Sequence, residues 1–323
     1  MTVRNAFMLL LVSQFGCSPE ATEPVEVSAA ASARGAFAGY SLYVDPNSHA
    51  ADQADLWRVS DPAGADVMDK LANRPLGFWL GDWTADVAGE VDAALDAAGS
   101  ELRVFVAYDI PERDCGAYSS GGAADEVEYA TFIAGIATGL AGRLAIVVLE
   151  PDALSLMDCL DANGQALRSQ MLSDAVDTLS AAGAAVYLDA GDSNWIPAAD
   201  LATRLLDAGV ERAAGFALNV AHTEFSADEG AYAEEIRAII GTDAHFVIDT
   251  GRNGLGPDPS NEWCNPLGRA LGKRPTLQTG KAGMDARLWV KPPGESDGPC
   301  NGGPNPGVWW PEYARDLAVS AGY

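Results

Sequence analysis

From Ala36 onward the chain alternates short, almost continuously apolar runs with Ala-rich stretches of helical period, and this alternation limits the folds open to it. The apolar runs are SLYV, LGFWL, LRVFVAYD, LAIVVLE, AAVYLDA, GFALNV, HFVIDT and RLWVK. Helical periodicity lies between most of them, as at Ala124–Ala141, Ala166–Ala182 and Asp228–Ile240. Strands apolar on both sides must be covered on both faces, and strands joined through helices run parallel. Seven or eight such units without an internal linker predict an α/β fold, a distorted, closed or nearly closed (β/α) barrel of the TIM type. The C-terminal third is richer in Gly, Pro and Trp and reads as loops decorating the barrel rather than a second domain.

The formal net charge of −26 excludes nucleic acid as a partner, because phosphate contacts need clustered Lys and Arg. At the N-terminus, MTVRNAFMLLLVSQFGC sets one Arg before an apolar run from Ala6 to Val12, too short to span a membrane. Residues 1–17 therefore read as an export signal. The Gly16-Cys17 pair that ends it resembles a bacterial lipoprotein signal, with Cys17 the lipidated residue and the one expected membrane attachment. Residues 18–35 follow as a flexible acidic tether, and residues 36–323 form the folded domain. Export permits disulfides. Cys115, Cys159, Cys264 and Cys300 allow three pairings, and the sequence-neighbour pairing, Cys115–Cys159 with Cys264–Cys300, closes moderate loops and is the one expected. With no CxxC and only three His, a zinc site is not expected, nor is any other cofactor.

Polar residues fall where the apolar runs end: Asp109, Glu150, Asp189, Asn219, Asp249 and Lys291. In parallel β/α folds these ends open on one face, where sites are built. Any one of them alone would read as a helix cap in the following loop; six together read as a functional rim. Trp79, Trp83, Trp195, Trp263, Trp309 and Trp310 stand beside these loops, whereas Trp289, inside a strand, reads as core. Stacking faces with carboxylates, and no phosphate or metal motif, suit a sugar polymer. Cleaving a glycosidic bond takes two carboxyl groups, one protonated to assist the leaving oxygen and one ionised.

The stretch YDIPERDCGAYSSGG resembles the signature of glycoside hydrolase family 6, the inverting β-1,4-glucanases. IVVLEPDALS, VYLDAGDSNW, GFALNV, VIDTGRNG, WCNPLGRALG and LWVKPPGESDGPC continue the family's blocks in order, so the resemblance runs from about Ala36 to the C-terminus. It implies that Asp152 is the general acid and that Asp114 supports it. It further implies that Tyr108 distorts the sugar at the cleavage point, Ser120 positions the attacking water, and Asp297 is the proposed base. Trp79, Trp263, Lys291 and Glu295 match substrate binders; Trp195, Asn219 and Asp192 complete the candidate binding set. Arg113 reads as an ion-pair partner orienting its neighbours, and Glu150 and Asp249 as supporting residues. The family's disulfides agree with the pairing above.

Two positions depart from the family pattern. Asp192 stands where the DAGHxxW block usually has His, which bears on the aglycone side, and Gly251 replaces a usual Ser. The compact catalytic portion, with a short stretch between Trp263 and Lys291, favours an open cleft, and so an endo-acting glucanase over a tunnel-forming cellobiohydrolase. No appended cellulose-binding module is expected, which points to soluble or amorphous β-glucan. A surface protein that binds glucan without cutting it would need the Trp platforms but not Asp114, Asp152 and Asp297 together. The expected state is a monomer.

Overall fold

A computed structural model describes residues 1–2, 37–241 and 243–323. Cys17, the expected tether and all but the first two residues of the expected export signal lie outside them. After α1 (His49–Trp57) and α2 (Pro62–Ala72), strands and helices alternate. They are β1 (Phe78–Leu80), α3 (Val87–Ala98), β2 (Val104–Ala107), α4 (Glu126–Leu140), β3 (Ala145–Leu149), α5 (Ala162–Ala181) and β4 (Ala184–Asp189). Then come α6 (Ala198–Asp207), β5 (Gly215–Leu218), α7 (Ser226–Ile240), β6 (His245–Asp249), β7 (Met284–Leu288) and α8 (Pro311–Ser320). Helix starts follow local chemistry: Ser48, Asp61, Asp86, Asp125 and Asp161 each cap a helix by accepting a backbone N–H of its first turn.

The strands form one seven-stranded sheet in sequence order, every pair parallel. Period-two alternation divides them into two buried layers. Phe105, Ala107, Val147 and Leu149 pack outward with α3–α7, whereas Val104, Val106, Ile146 and Val148 fill the inside of the curl with Tyr187, Ala217 and Val247. Both sides are apolar, hence the near-continuous apolar runs.

β1 and β7 form no ladder and leave a seam. It is stitched by the Gly77 N–H donating to the Trp289 carbonyl at 2.9 Å and the Trp79 indole N–H donating to the Val290 carbonyl at 2.9 Å. The barrel is distorted and nearly closed, as the alternation predicts, with seven strands. The run SLYV is not an eighth: it makes a single bridge, Leu42 to Leu102, and Leu42 packs with Phe37 and Leu102 as a plug at the strands' N-terminal end. Trp289 is core, packed with Leu271, Tyr313 and Leu317. Both expected disulfides are present, Cys115–Cys159 and Cys264–Cys300.

At Gly77 a Cβ would overlap the Val290 carbonyl, a backbone atom with little room to move. Gly77→Ala is expected to spread the seam and cost about 1–3 kcal/mol. Urea unfolding checks this, with the m-value unchanged and the midpoint lowered.

Candidate active site

Because all strands run one way, the loops after β2 to β7 leave from one end, and buried acids tie those loops to one another. Glu150, at the end of β3, accepts the N–H groups of Asp109 and Ile110 from the loop after β2, at 3.0 and 3.1 Å. Asp189, ending β4, accepts the Asp152 N–H at 2.9 Å from the loop after β3. Asp249, ending β6, accepts the N–H of Ala221 at 3.2 Å and of Lys291 at 3.0 Å, from the loops on either side. Burial pushes Glu150 and Asp189 up to about 8, against the backbone donors that favour their charge. The loops after β2, β3 and β5 turn through the left-handed region: Asp114 has φ +58°, Glu150 +52°, Asp152 +69° and Asn219 +64°, strain that the surrounding hydrogen bonds must hold.

Beneath the first two loops lies the buried Arg168 of α5. Its guanidinium donates to the carbonyls of Pro111 (2.8 Å), Glu112 (3.1 Å) and Ala153 (3.3 Å), so one side chain sets Asp114 and Asp152 relative to each other. Arg113 orients its own loop. It donates to the carbonyls of Tyr108 (2.7 Å) and Ser119 (2.8 Å), pairs with Asp82 at 3.3 Å and lies over the Tyr108 ring.

Above this layer two recesses of about 770 and 540 Å³ meet along Trp79, Tyr108, Ser119 and Lys291. The larger holds Ser120, Glu295, Trp83 and Trp309. The smaller gathers Asp114, Asp152, Asp192, Trp195, His222, Trp263 and Asp297. Nearly all the residues expected from the sequence thus fall into one groove. Asn219 does not: it is wholly buried, its carboxamide donating to the Asp249 carbonyl at 2.9 Å and accepting the Glu224 N–H at 2.9 Å, which leaves it no face for a substrate. Glu295 lies 3.6 Å from His49.

The three acidic catalytic candidates sit in different fields. The Asp152 side chain is 22% exposed, and its Oδ1 is buried without a hydrogen-bond partner. Asp114 accepts the Ser119 N–H at 2.7 Å; burial raises it, and the Asp152 charge adds to the rise. Burial would raise Asp297 too, but Arg252 at 2.7 Å and Lys291 at 2.9 Å prevail and hold its carboxyl well below the usual carboxylate range. The Asn265 N–H, at 2.8 Å, adds a third donor.

Sequence reasoning missed His222. Its Nδ1 lies 3.0 Å from Asp192 Oδ2 and its Nε2 3.6 Å from Asp152 Oδ1. The available signal was paired: Asp192 replaces the block's usual His, and one of only three histidines follows Asn219 at the next strand end. Arg168, Arg252 and Asn265 were missed because nothing local marks a polar residue that works underneath a loop. Among the described residues no three His, Cys, Asp or Glu are gathered to hold a metal ion.

Residues 37–321 match the model of glycosyl hydrolases family 6. The chain is 42% identical over 286 residues to Endoglucanase A of Cellulomonas fimi, covering 87% of this chain but 61% of that protein's length. It is 32% identical to a probable 1,4-β-D-glucan cellobiohydrolase C of Aspergillus terreus, over 360 aligned positions for 88% of this chain and 75% of that protein. The solved structure of the endoglucanase Cel6 from Mycobacterium tuberculosis, in complex with a methyl-cellobiosyl-thio-cellobioside, superposes with a TM-score of 0.83 at 44% identity. That superposition covers 89% of this chain and 99% of the other. Fold, groove, sequence blocks and relatives agree, and the chain belongs to glycosyl hydrolase family 6.

Proposed function

We propose that the protein is an inverting endo-β-1,4-glucanase, a cellulase that hydrolyses internal bonds of a glucan chain. The observation that carries this reading is the groove: two recesses joined across Trp79 and Tyr108, with Asp152 and Asp114 just beyond the junction. A polymer can lie through such a groove and be cut within. The alignments favour endo over exo action: the cellobiohydrolase needs 360 positions for 88% of this chain, the endoglucanase 286 for 87%, so the exo-named relative carries insertions this chain lacks. Trp263, 53% exposed, offers an open stacking face rather than the wall of a tunnel.

In this reading Asp152 protonates the leaving oxygen while Asp114 stabilises the positive charge that develops on the sugar. Tyr108, braced edge-on against Trp79 at 5.3 Å, crowds the sugar at the junction. Ser120 holds the attacking water, and Trp79, Trp195, Trp263, Lys291, Glu295 and Asp192 bind the chain on either side. Asp297 stays anionic next to the water's path. Two cations make it a weak proton acceptor, so the one proton that the attacking water sheds leaves through further water molecules. The protein works as a monomer. Residues 1–17 direct export and residues 18–35 tether the domain to a lipid on Cys17.

Early hydrolysis of soluble cello-oligosaccharides, followed by NMR of the anomeric protons, should release α-anomer first. Asp152→Ala should lose about 10²–10⁴ in kcat on the same substrate. A rapid fall in carboxymethylcellulose viscosity per reducing end formed tests endo action; a slow fall would restore the cellobiohydrolase reading. Binding without turnover by the wild type would leave a glucan-binding protein.

Asp297→Asn is expected to lower stability by about 3–5 kcal/mol in chemical unfolding, because Arg252 and Lys291 would be left without their counter-charge. Since its folded pKa is depressed, Asp297 contributes fully above its unfolded pKa, and that contribution is lost as pH falls through the folded value. The wild type–mutant gap should therefore narrow in acid. A mutant with native stability but no activity would return Asp297 to the role of direct base.

For the anchor, Cys17→Ala should abolish incorporation of labelled palmitate and release the protein into the medium. An unlabelled wild type would leave ordinary signal cleavage.

A further inference from the structure

We infer that His222 is the positioning residue of the general acid, an imidazole held between Asp192 and Asp152 that carries the proton Asp152 delivers. The inference rests on the reading of Asp152 as the acid. The ring is built in from both sides. Asn219 and Ala221 turn the chain with φ of +64° and +62°, and the His222 N–H donates to the Asn219 carbonyl at 3.0 Å. Asp249 takes the Ala221 N–H at 3.2 Å, and Arg252 donates to the Ala221 carbonyl. On the neighbouring loop after β4, Asp192 is only 7% exposed and is fixed by accepting the Asn194 N–H at 2.7 Å. Its other oxygen lies 3.0 Å from Nδ1, which places the Nδ1 proton there. Nε2 is then the nitrogen that exchanges a proton with Asp152 Oδ1, 3.6 Å away and otherwise without a partner. Trp195 covers the ring, centroid to centroid 5.3 Å.

The charged surroundings favour a proton here. Asp152, Asp189, Asp192, Glu224 and Glu229 all act on His222 from four different segments, and Arg252, on the same side, is engaged by Asp297. Burial opposes the imidazolium, yet the two carboxylates prevail and hold His222 well above its ordinary value. His222 then keeps its proton to higher pH than a free imidazole would.

The step balances simply. The Nε2–H bond breaks as an O–H bond forms on Asp152, and that proton passes to the glycosidic oxygen as its bond to the anomeric carbon breaks, the electron pair staying on the oxygen. Water adds to the anomeric carbon and loses one proton to solvent. The neutral imidazole, 19% exposed, regains a proton from solvent before the next turnover.

The test compares kcat/KM across pH for the wild type, His222→Asn and Asp192→Asn, on cellopentaose and on 2,4-dinitrophenyl β-cellotrioside, whose leaving group needs no proton. His222→Asn should lose on the order of 10²-fold on cellopentaose and far less on the aryl substrate, with its alkaline limb moved to lower pH. Asp192→Asn should shift the limb in the same direction and carries the test if the His222 variant fails to fold. Equal losses on both substrates with an unmoved alkaline limb would overturn the inference while leaving the glucanase reading intact. Failure of the wild type to cut cellopentaose would overturn both.

Discussion

Buried carboxylates that collect backbone N–H groups from a neighbouring strand's loop hold the working end of this barrel together. Glu150 grips the loop after β2, Asp189 the loop after β3, and Asp249 the loops after β5 and β7. Each such bond contributes roughly 0.5–1.5 kcal/mol net, and losing the acceptor would strand buried donors at about 1–3 kcal/mol. Because the acid sits on one strand and its donors follow another, the position of every loop derives from the register of the sheet. The left-handed turns at Asp114, Asp152 and Asn219 survive because this lattice over-determines them.

The same chemical group has different tasks in the groove, set by what surrounds it. Asp297 faces two cations and a backbone donor and stays ionised. Asp114 faces burial and another carboxylate, which favour its proton. Asp192 faces an imidazole that outweighs its burial and holds it below the usual range. Three carboxyl groups lining one groove are thus set apart by their environments alone.

Much of this was legible in the sequence. Strands buried on both faces have a distinctive apolar run, and parallel order then forces their ends, with the polar residues on them, to one rim. What was not legible depends on contacts distant in sequence. SLYV has the composition of a strand, but it lies beneath β2 as a plug with one bridge, and no local pattern distinguishes plug from strand. Asn219 sits at a strand end like the acids, yet its carboxamide is taken up by Asp249 and Glu224, sequence positions 30 and 5 residues away. Arg168 reads as an ordinary helical residue and is wholly buried under the loops after β2 and β3. His222 gains meaning only beside Asp192, and their adjacency exists only once β4 and β5 are paired.

The seam explains why the two sides of the groove are built so differently. With seven strands, β1 and β7 meet through Gly77 and Trp79 rather than a ladder, and α1, α2 and α8 pack around Trp289 beside the join. The chain beyond Leu288 is irregular until α8, and this stretch supplies Lys291, Glu295, Asp297 and Trp309. Irregular backbone at a site needs its own hydrogen-bond framework. Here the Asn265 carboxamide donates to the carbonyls of Gly298 (2.8 Å) and Cys300 (3.1 Å) and accepts the Asp297 N–H (2.8 Å), while the Cys264–Cys300 disulfide ties the two loops covalently. Asp152 is thus positioned by the sheet and Asp297 by a cross-linked loop. The two sides of the groove are tied where they meet, at the Asp249 carboxylate that holds Lys291 on one side and Ala221, one residue before His222, on the other.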